Sequence, residues 1–230
     1  EIALRIIKSL KEMGVTTVAI YSNADKELPY VGLADIKVCL GDDRDSYLNA
    51  YKILAAASVH KVDAIHPGIG FMAESSEFAE LCKKCNITFI GPDSELIDAI
   101  GNKSKAKQLA KECFIPTIEG TTTPVKNVEE CKAFGNEVGY PILLKATHGG
   151  GGKGIRIVKR FEDLNDNFEL CMKEAKAAFN NGELLAEKAI QGFKHFEVQI
   201  LGDSYGNIVH LGDRECTIQR ANQKVIEEAR

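Results

Sequence analysis

Residues 141–158 constrain the fold of this chain more than any other stretch. Pro141-Ile-Leu-Leu-Lys145 and Ile155-Arg-Ile-Val158 are apolar runs of strand length. Between them lies Ala146-Thr-His-Gly-Gly-Gly-Gly-Lys-Gly154, which is mostly glycine. Two strands joined this way read as a flexible hairpin. Glycine has no side chain, so backbone N–H groups can close on an anion. Lys145 and Lys153 flank the loop with positive charge. The Gly-x-x-x-x-Gly-Lys-[Ser/Thr] loop does not apply, because Ile155 follows Gly154 and no helix opens after the loop. Glycines alone leave two readings open, a mobile surface hairpin and a cover for nucleotide phosphates. The flanking lysines favour phosphate.

Size and charge narrow the class. With 230 residues the chain holds one large domain or two to three small ones. Its 44% hydrophobic content is that of an ordinary globular protein. A net charge of -4, the lack of a basic run and the sparse aromatics argue against nucleic acid as a partner. No apolar stretch approaches the length of a membrane span. Glu1-Ile-Ala-Leu-Arg5 lacks the basic start and apolar core of a signal peptide. Seven cysteines, at positions 39, 82, 85, 113, 131, 171 and 216, are odd in number and irregular in spacing. A disulfide framework is therefore not expected. Cys82 and Cys85 form a single C-x-x-C in a helical pattern, without the second pair a zinc site needs. Free thiols are favoured over metal, and they imply a cytoplasmic or organelle-matrix setting.

Periodicity divides the chain. Ala3, Ile6, Ile7, Leu10 and Met13 recur at helical spacing, with Gly14 as a stop. Strands are predicted at Thr17–Tyr21, Ile36–Leu40, Ala64–His66 and Thr88–Ile90. Helices are predicted from Ser46 to Val59, introduced by Asp45, and from Ser75 to Cys85. The alternation implies a parallel sheet with helices on its faces, running to about residue 100. A basic helix from Ser104 to Cys113 follows. Asn127-Val-Glu-Glu130 resembles a capping box opening a helix to Val138. The glycine hairpin, a long helix from about Asp163 to Phe179, a turn at Asn180-Asn-Gly182 and a strand at Glu183–Lys188 complete a small α+β unit. From His195 the pattern becomes antiparallel: Phe196–Leu201, a turn at Asp203–Gly206, and Asn207–Leu211. Val198, Ile200 and Ile208 ask for a core that too few remaining residues could build, so a truncated unit is expected.

Eight blocks in register carry a resemblance. They are Glu1–Ile7, Ala64-Ile-His-Pro-Gly-Ile-Gly-Phe71, Phe89-Ile-Gly-Pro92, Gly101-Asn-Lys103, the glycine hairpin, Glu187-Lys188, His195-Phe-Glu-Val-Gln199, and Arg214–Glu228. Together they resemble the biotin carboxylase family, within the ATP-grasp fold. The resemblance implies an α/β chain. Residues 1–100 would be a Rossmann-like parallel-sheet domain whose first strand is missing. Residues 101–116 would be a connecting helix, 117–189 an α+β lid over ATP, and 190–230 the truncated start of the catalytic domain. The chain is thus expected to be the N-terminal half of a biotin carboxylase subunit or domain.

Site residues follow from the same resemblance. Lys145 and Lys103 match lysines on the ATP phosphates, and Gly151 and Gly152 match loop positions whose N–H groups close on them. Glu187, Lys188, Ala189 and Ile190 match the hinge, where Lys188 and the backbone near Ile190 read adenine. His195 matches a residue near the ribose hydroxyls, and Gln219 matches a nucleotide contact. Lys224 matches the catalytic lysine that helps bind bicarbonate and stabilises carboxyphosphate. Four positions depart from the family pattern, one of them Ile69, which stands where tyrosine is usual. His148 stands where a small residue is usual, Asn222 where many members have histidine, and Ala221 where most have arginine. His148 could stiffen the loop or add a pH-sensitive charge; the simpler reading is an exposed, neutral substitution. His66-Pro-Gly68 reads as a tight turn shaping the first domain.

The implied reaction joins bicarbonate to biotin on a carrier protein, using ATP and magnesium through carboxyphosphate. No metal ligand is assigned within the chain, because the magnesium carboxylates are expected beyond Arg230. The fragment alone is expected to be inactive. Implied partners are a biotin carboxyl carrier, a carboxyltransferase and a second copy of the full-length subunit. The alternatives are another ATP-grasp ligase, such as a carbamoyl-phosphate synthetase half, or a nucleotide-binding fragment without catalysis. The sequence leaves the acceptor of the carboxyl group open.

Overall fold

The structure, a computed structural model, describes residues 1–42, 44–148, 153–220 and 223–229. It divides into two compact units, Glu1–Gly101 and Asn102–Arg230.

The first unit opens with helix α1 (Ile2–Glu12), which Gly14 ends at φ +73°. Strand β1 (Val18–Ser22) lies parallel to β2 (Ile36–Gly41), with the short helix α2 (Pro29–Leu33) between them in sequence. Helix α3 (Ala50–Val59), strand β3 (Ala64–Ile65), helix α4 (Ser76–Lys84), strand β4 (Thr88–Phe89) and helix α5 (Ser94–Gly101) follow. β3 and β4 also pair in parallel. Among the described residues the parallel strands thus form two separate pairs rather than one continuous sheet. Both pairs contribute to one core, in which Leu40, Ile53, Leu54, Phe78, Cys82 and Ile87 are buried. Phe78 meets Phe89 edge-on at 6.1 Å, and burial of such a ring contributes roughly 1.5–3 kcal/mol.

One predicted helix starts later than expected. Residues Arg44–Leu48 wind into a 3-10 turn, where the Ser46 hydroxyl donates to Leu40 O. Helix α3 begins only after Asn49, whose side chain accepts from Lys52 N at 3.0 Å. Asn49, not Asp45, satisfies the orphan N–H groups of the first turn. The His66 reading fits the observed geometry: its Nδ1 accepts from Gly68 N at 3.1 Å, and Gly68 sits at φ +75°.

The second unit starts with helix α6 (Lys103–Glu112), capped by Asn102. Helix α7 (Val128–Val138) begins at Asn127, whose side chain accepts from Glu130 N at 2.9 Å. Strands β5 (Ile142–Ala146), β6 (Ile155–Val158) and β7 (Leu184–Lys188) form an antiparallel sheet of order β6-β5-β7. Helix α8 (Leu164–Phe179) ends at Asn180 in the left-handed conformation. Side chains alternate across a strand, so Ile142, Leu144 and Ala146 face one way. With Val158, Leu184, Ala186 and residues of α7 and α8, they form a core whose centre is fully buried. Leu143 and Lys145 face the other way.

Strands β8 (Phe196–Gly202) and β9 (Ile208–Glu215) make the expected hairpin. Asp203 Oδ1 accepts from the N–H groups of Tyr205 and Asn207, both at 2.9 Å, and fixes the turn. Val198, Ile200 and Ile208 are exposed. Two short strands, β10 (Gln219–Arg220) and β11 (Gln223–Lys224), pair with each other, and β12 (Glu228–Ala229) pairs with β9. Among the described residues no helix is long and apolar enough to cross a membrane.

Candidate functional site

The sheet of the second unit sets the first cluster. Lys145 lies opposite Leu185 in the β5–β7 ladder, so Glu187, two residues further along β7, is its diagonal neighbour on the non-core face. Lys145 Nζ donates to Glu187 Oε2 at 2.5 Å. The other carboxylate oxygen accepts from Lys107 Nζ at 3.3 Å. Lys107 follows Lys103 by one helical turn, which puts both on one face of α6. Lys103 belongs to the same electrostatic group: burial, then repulsion from Lys145, pushes its ammonium pKa down, while Glu187 offsets part of this. Burial pushes the Glu187 carboxyl up, but the hydrogen bond and charge of Lys145, and those of Lys107, outweigh it and hold the group below its ordinary value. Three lysines thus lie around one carboxylate, Lys145 and Lys107 paired with it and Lys103 within its electrostatic reach. Such a patch suits a polyanion.

The base of the glycine run is anchored to the same helix. Lys103 N donates to Thr147 O at 3.3 Å, and Asn102 Oδ1 accepts from the N–H groups of Ser104 and Lys105. The His148 ring stands between two asparagines. Its Nε2 is 3.5 Å from Asn102 Nδ2, and its Nδ1 is 3.2 Å from Asn181 Nδ2 and 2.9 Å from Thr147 Oγ1. His148 is exposed, and these groups are its local partners. Gly151 and Gly152 lie outside the described residues, as do Ala221 and Asn222.

The predicted hinge residues lie at the end of β7 and just beyond it. Lys188 N donates to Glu119 O at 2.9 Å and Ala189 N to Pro141 O at 3.1 Å. The Lys188 and Ile190 side chains are exposed.

A second cluster gathers His195, Gln219 and Lys224. Gln219 Nε2 donates to Cys216 O at 3.0 Å and lies 2.7 Å from His195 Nδ1. Because the amide nitrogen is a donor, Nδ1 accepts, and the proton of a neutral ring is assigned to Nε2. Glu197 faces Arg214 across the β8–β9 ladder and accepts from it, with Arg214 Nε at 2.9 Å. Lys224 donates to the other oxygen of Glu197. Each predicted residue among those described thus falls in the lysine cluster, at the end of β7 or just beyond it, or in this group.

Among the described residues, His195, Glu197 and Cys216 are the one set whose potential ligand atoms lie within 4.8 Å of one another. Magnesium takes hard oxygen ligands in octahedral array. A nitrogen, a thiol and a carboxylate already claimed by Arg214 and Lys224 do not fit it.

Two family models cover the chain. One, described as the biotin carboxylase N-terminal domain, matches residues 1–97. The other, described as the carbamoyl-phosphate synthase L chain ATP binding domain, matches residues 102–230. Biotin carboxylase 1 of Bacillus subtilis is 46% identical over the whole of this chain. The chain belongs to the biotin carboxylase family. It spans 51% of the length of the Bacillus subtilis relative and 20% of that of a Staphylococcus aureus pyruvate carboxylase to which it is 46% identical. A crystal structure of a biotin carboxylase–beta-gamma-ATP complex from Campylobacter jejuni superposes with TM-score 0.95 at 44% identity, covering 98% of this chain and 51% of that one. The biotin carboxylase domain dimer of Hydrogenobacter thermophilus 2-oxoglutarate carboxylase, in complex with MgADP, ADP and bicarbonate, gives 0.94 at 47% identity, covering 98% and 50%. Within this biotin carboxylase frame, the residue that sequence reasoning passed over is Lys107. Its only sequence signal is its four-residue spacing from Lys103, which does not say that the shared face is buried.

Proposed function

We propose that the chain is the nucleotide-binding half of a ligase that carboxylates biotin on a carrier protein with ATP and bicarbonate. The observation that carries this is the convergence of Lys103, Lys107 and Lys145 on the Glu187 carboxylate, in a chain aligned end to end with biotin carboxylases. The ligands named for the Campylobacter jejuni and Hydrogenobacter thermophilus structures support the same substrates.

Lys145 and Lys103 hold the ATP phosphates, and the N–H groups of Gly151 and Gly152 close on them. At the hinge formed by Glu187, Lys188, Ala189 and Ile190, Lys188 and the backbone near Ile190 read adenine; His195 serves the ribose hydroxyls, Gln219 is a further nucleotide contact, and Asn222 is assigned a hydrogen bond to a ribose or phosphate oxygen. A bicarbonate oxygen attacks the γ-phosphorus, the bond to ADP breaks, and carboxyphosphate forms. Lys224 stabilises the charge that develops there. Carboxyphosphate then splits into carbon dioxide and phosphate. Phosphate takes the ureido N–H proton as that nitrogen bonds to the carbon dioxide carbon.

Residues 101–116 act as the connecting helix, 117–189 as the lid and 190–230 as the start of the catalytic domain. The partners are a biotin carboxyl carrier, a carboxyltransferase and a second copy of the subunit. Cytoplasm or an organelle matrix is the setting, supported by seven free cysteines. The test is ADP release by the full-length protein, which should need both bicarbonate and biotin. Turnover that needs glutamine or ammonia and ignores biotin would place the protein with carbamoyl-phosphate synthetases instead.

A further inference from the structure

We propose that Lys107 is a positioning residue for phosphate binding: it is the standing counter-ion of Glu187, which frees Lys145 to turn to a nucleotide phosphate. This rests on the nucleotide reading above. The two lysines that share Glu187 differ in access. The Lys107 side chain is 7% exposed and that of Lys145 24%. Lys107 is enclosed by residues 119–121, which lie along β7. Glu119 O accepts from Lys188 N, Thr121 N donates to Ala186 O, and Gly120 bridges to Glu187. A Cβ on Gly120 would lie 2.6 Å from Lys107 Nζ and 2.7 Å from both Ala186 O and Glu187 Cγ. Lys107 therefore has room for Glu187 and none for a ligand, whereas Lys145 can reach one.

The energetics follow from this division. A buried carboxylate whose only cation leaves is stranded, and stranding a buried charge is strongly unfavourable. With Lys107 on Oε1, Glu187 stays paired when Lys145 leaves Oε2. Without Lys107, every phosphate contact by Lys145 would cost the Lys145–Glu187 ion pair, and the cluster would lose one positive charge.

The experiment compares Lys107→Met, Lys107→Gln and Lys107→Arg in the full-length protein, with the exposed Lys111→Met on the same helix as the charge-loss control. The readouts are KM for ATP, kcat, and the rise in Tm on adding ATP. Lys107→Met and Lys107→Gln should raise KM for ATP on the order of tenfold, the effect of one charge-assisted contact. They should hold kcat within about twofold and shrink the ATP-induced rise in Tm. Lys107→Arg should restore both, and Lys111→Met should change neither. If Lys107→Met does not fold, Lys107→Gln carries the comparison. Unchanged KM and Tm rise in the neutral variants, or an arginine variant as impaired as they are, would overturn the role of Lys107. A wild-type protein whose Tm does not respond to ATP would overturn the nucleotide reading itself.

Discussion

Lys145 and Glu187 meet as a diagonal pair across β5 and β7, Nζ to Oε2 at 2.5 Å, on the sheet face turned away from the core. Lys224 is held in a different way, on Glu197 beside Arg214. The two lysines thus belong to separate charge clusters, and their loss should have different kinetic signatures.

In the full-length protein, Lys145→Ala should weaken ATP binding by roughly 1.5–3 kcal/mol, the worth of a charge-assisted contact. Lys224→Ala should leave ATP binding nearly intact and lower the rate, because its partner charge develops only as bicarbonate is phosphorylated. Titration calorimetry with ATP beside steady-state kinetics separates the two. Equal losses of ATP affinity, with an unchanged rate at saturation for Lys224→Ala, would refute the division.

Gly120 should tolerate no side chain. A Cβ there would press on Ala186 O, which is backbone, and on the Lys107–Glu187 pair. Gly120→Ala should destabilise the protein by about 1–3 kcal/mol, the usual range for overpacking. Denaturant unfolding measures it, and a midpoint equal to wild type would show that the segment shifts freely.

Acid should remove a contribution made by Asp35. Its carboxylate accepts from Lys11 Nζ at 2.8 Å, and from Thr17 N at 2.9 Å and Thr17 Oγ1 at 2.8 Å. The Lys11 hydrogen bond first, and those of Thr17 next, hold the Asp35 carboxyl well below the usual carboxylate range. A carboxyl held low in the folded state stabilises above its unfolded pKa of about 4 and loses that contribution as pH falls further. Asp35→Asn should therefore lower Tm at about pH 7, with the gap narrowing towards about pH 3. A gap of constant size would show that the ionised form adds nothing.

Thiol chemistry should sort the seven cysteines by burial. Cys39, Cys85 and Cys113 are exposed, and Cys82, Cys131, Cys171 and Cys216 are buried. Burial, with smaller contributions from neighbouring groups, pushes the thiols of Cys82, Cys131 and Cys171 up to about 11. Brief alkylation at neutral pH followed by peptide mapping should label the exposed three and spare the buried four. Rapid labelling of Cys131 or Cys171 would mean that the core of the second unit opens readily.

Much of the local structure was legible because it is periodic or capped. The alternation of Ile142, Leu144 and Ala146 against Leu143 and Lys145 states which face is core. Asn127 and Asp203 mark a helix start and a turn through bonds to their own neighbours. What escaped was short or decided between two caps. Asp45 and Asn49 are both plausible helix starts, and the Ser46 bond to Leu40 O tips the choice to Asn49. α2, β10, β11 and β12 are only two to five residues long, too short for a period to be read.

The sequence by itself determined the family, through eight blocks in order, and the lysines and glycines available for phosphate, because these depend on residue identity and nearby spacing. Only the tertiary structure decided how those charges share one partner. Lys107 and Glu187 are 80 positions apart, and helical spacing says that Lys103 and Lys107 share a face without saying what meets it. The same holds for Glu197, which reads as one more alternating strand residue until β9 and β11 bring Arg214 and Lys224 to it. Periodicity reports on neighbours along the chain, whereas a buried charge is defined by what packs against it.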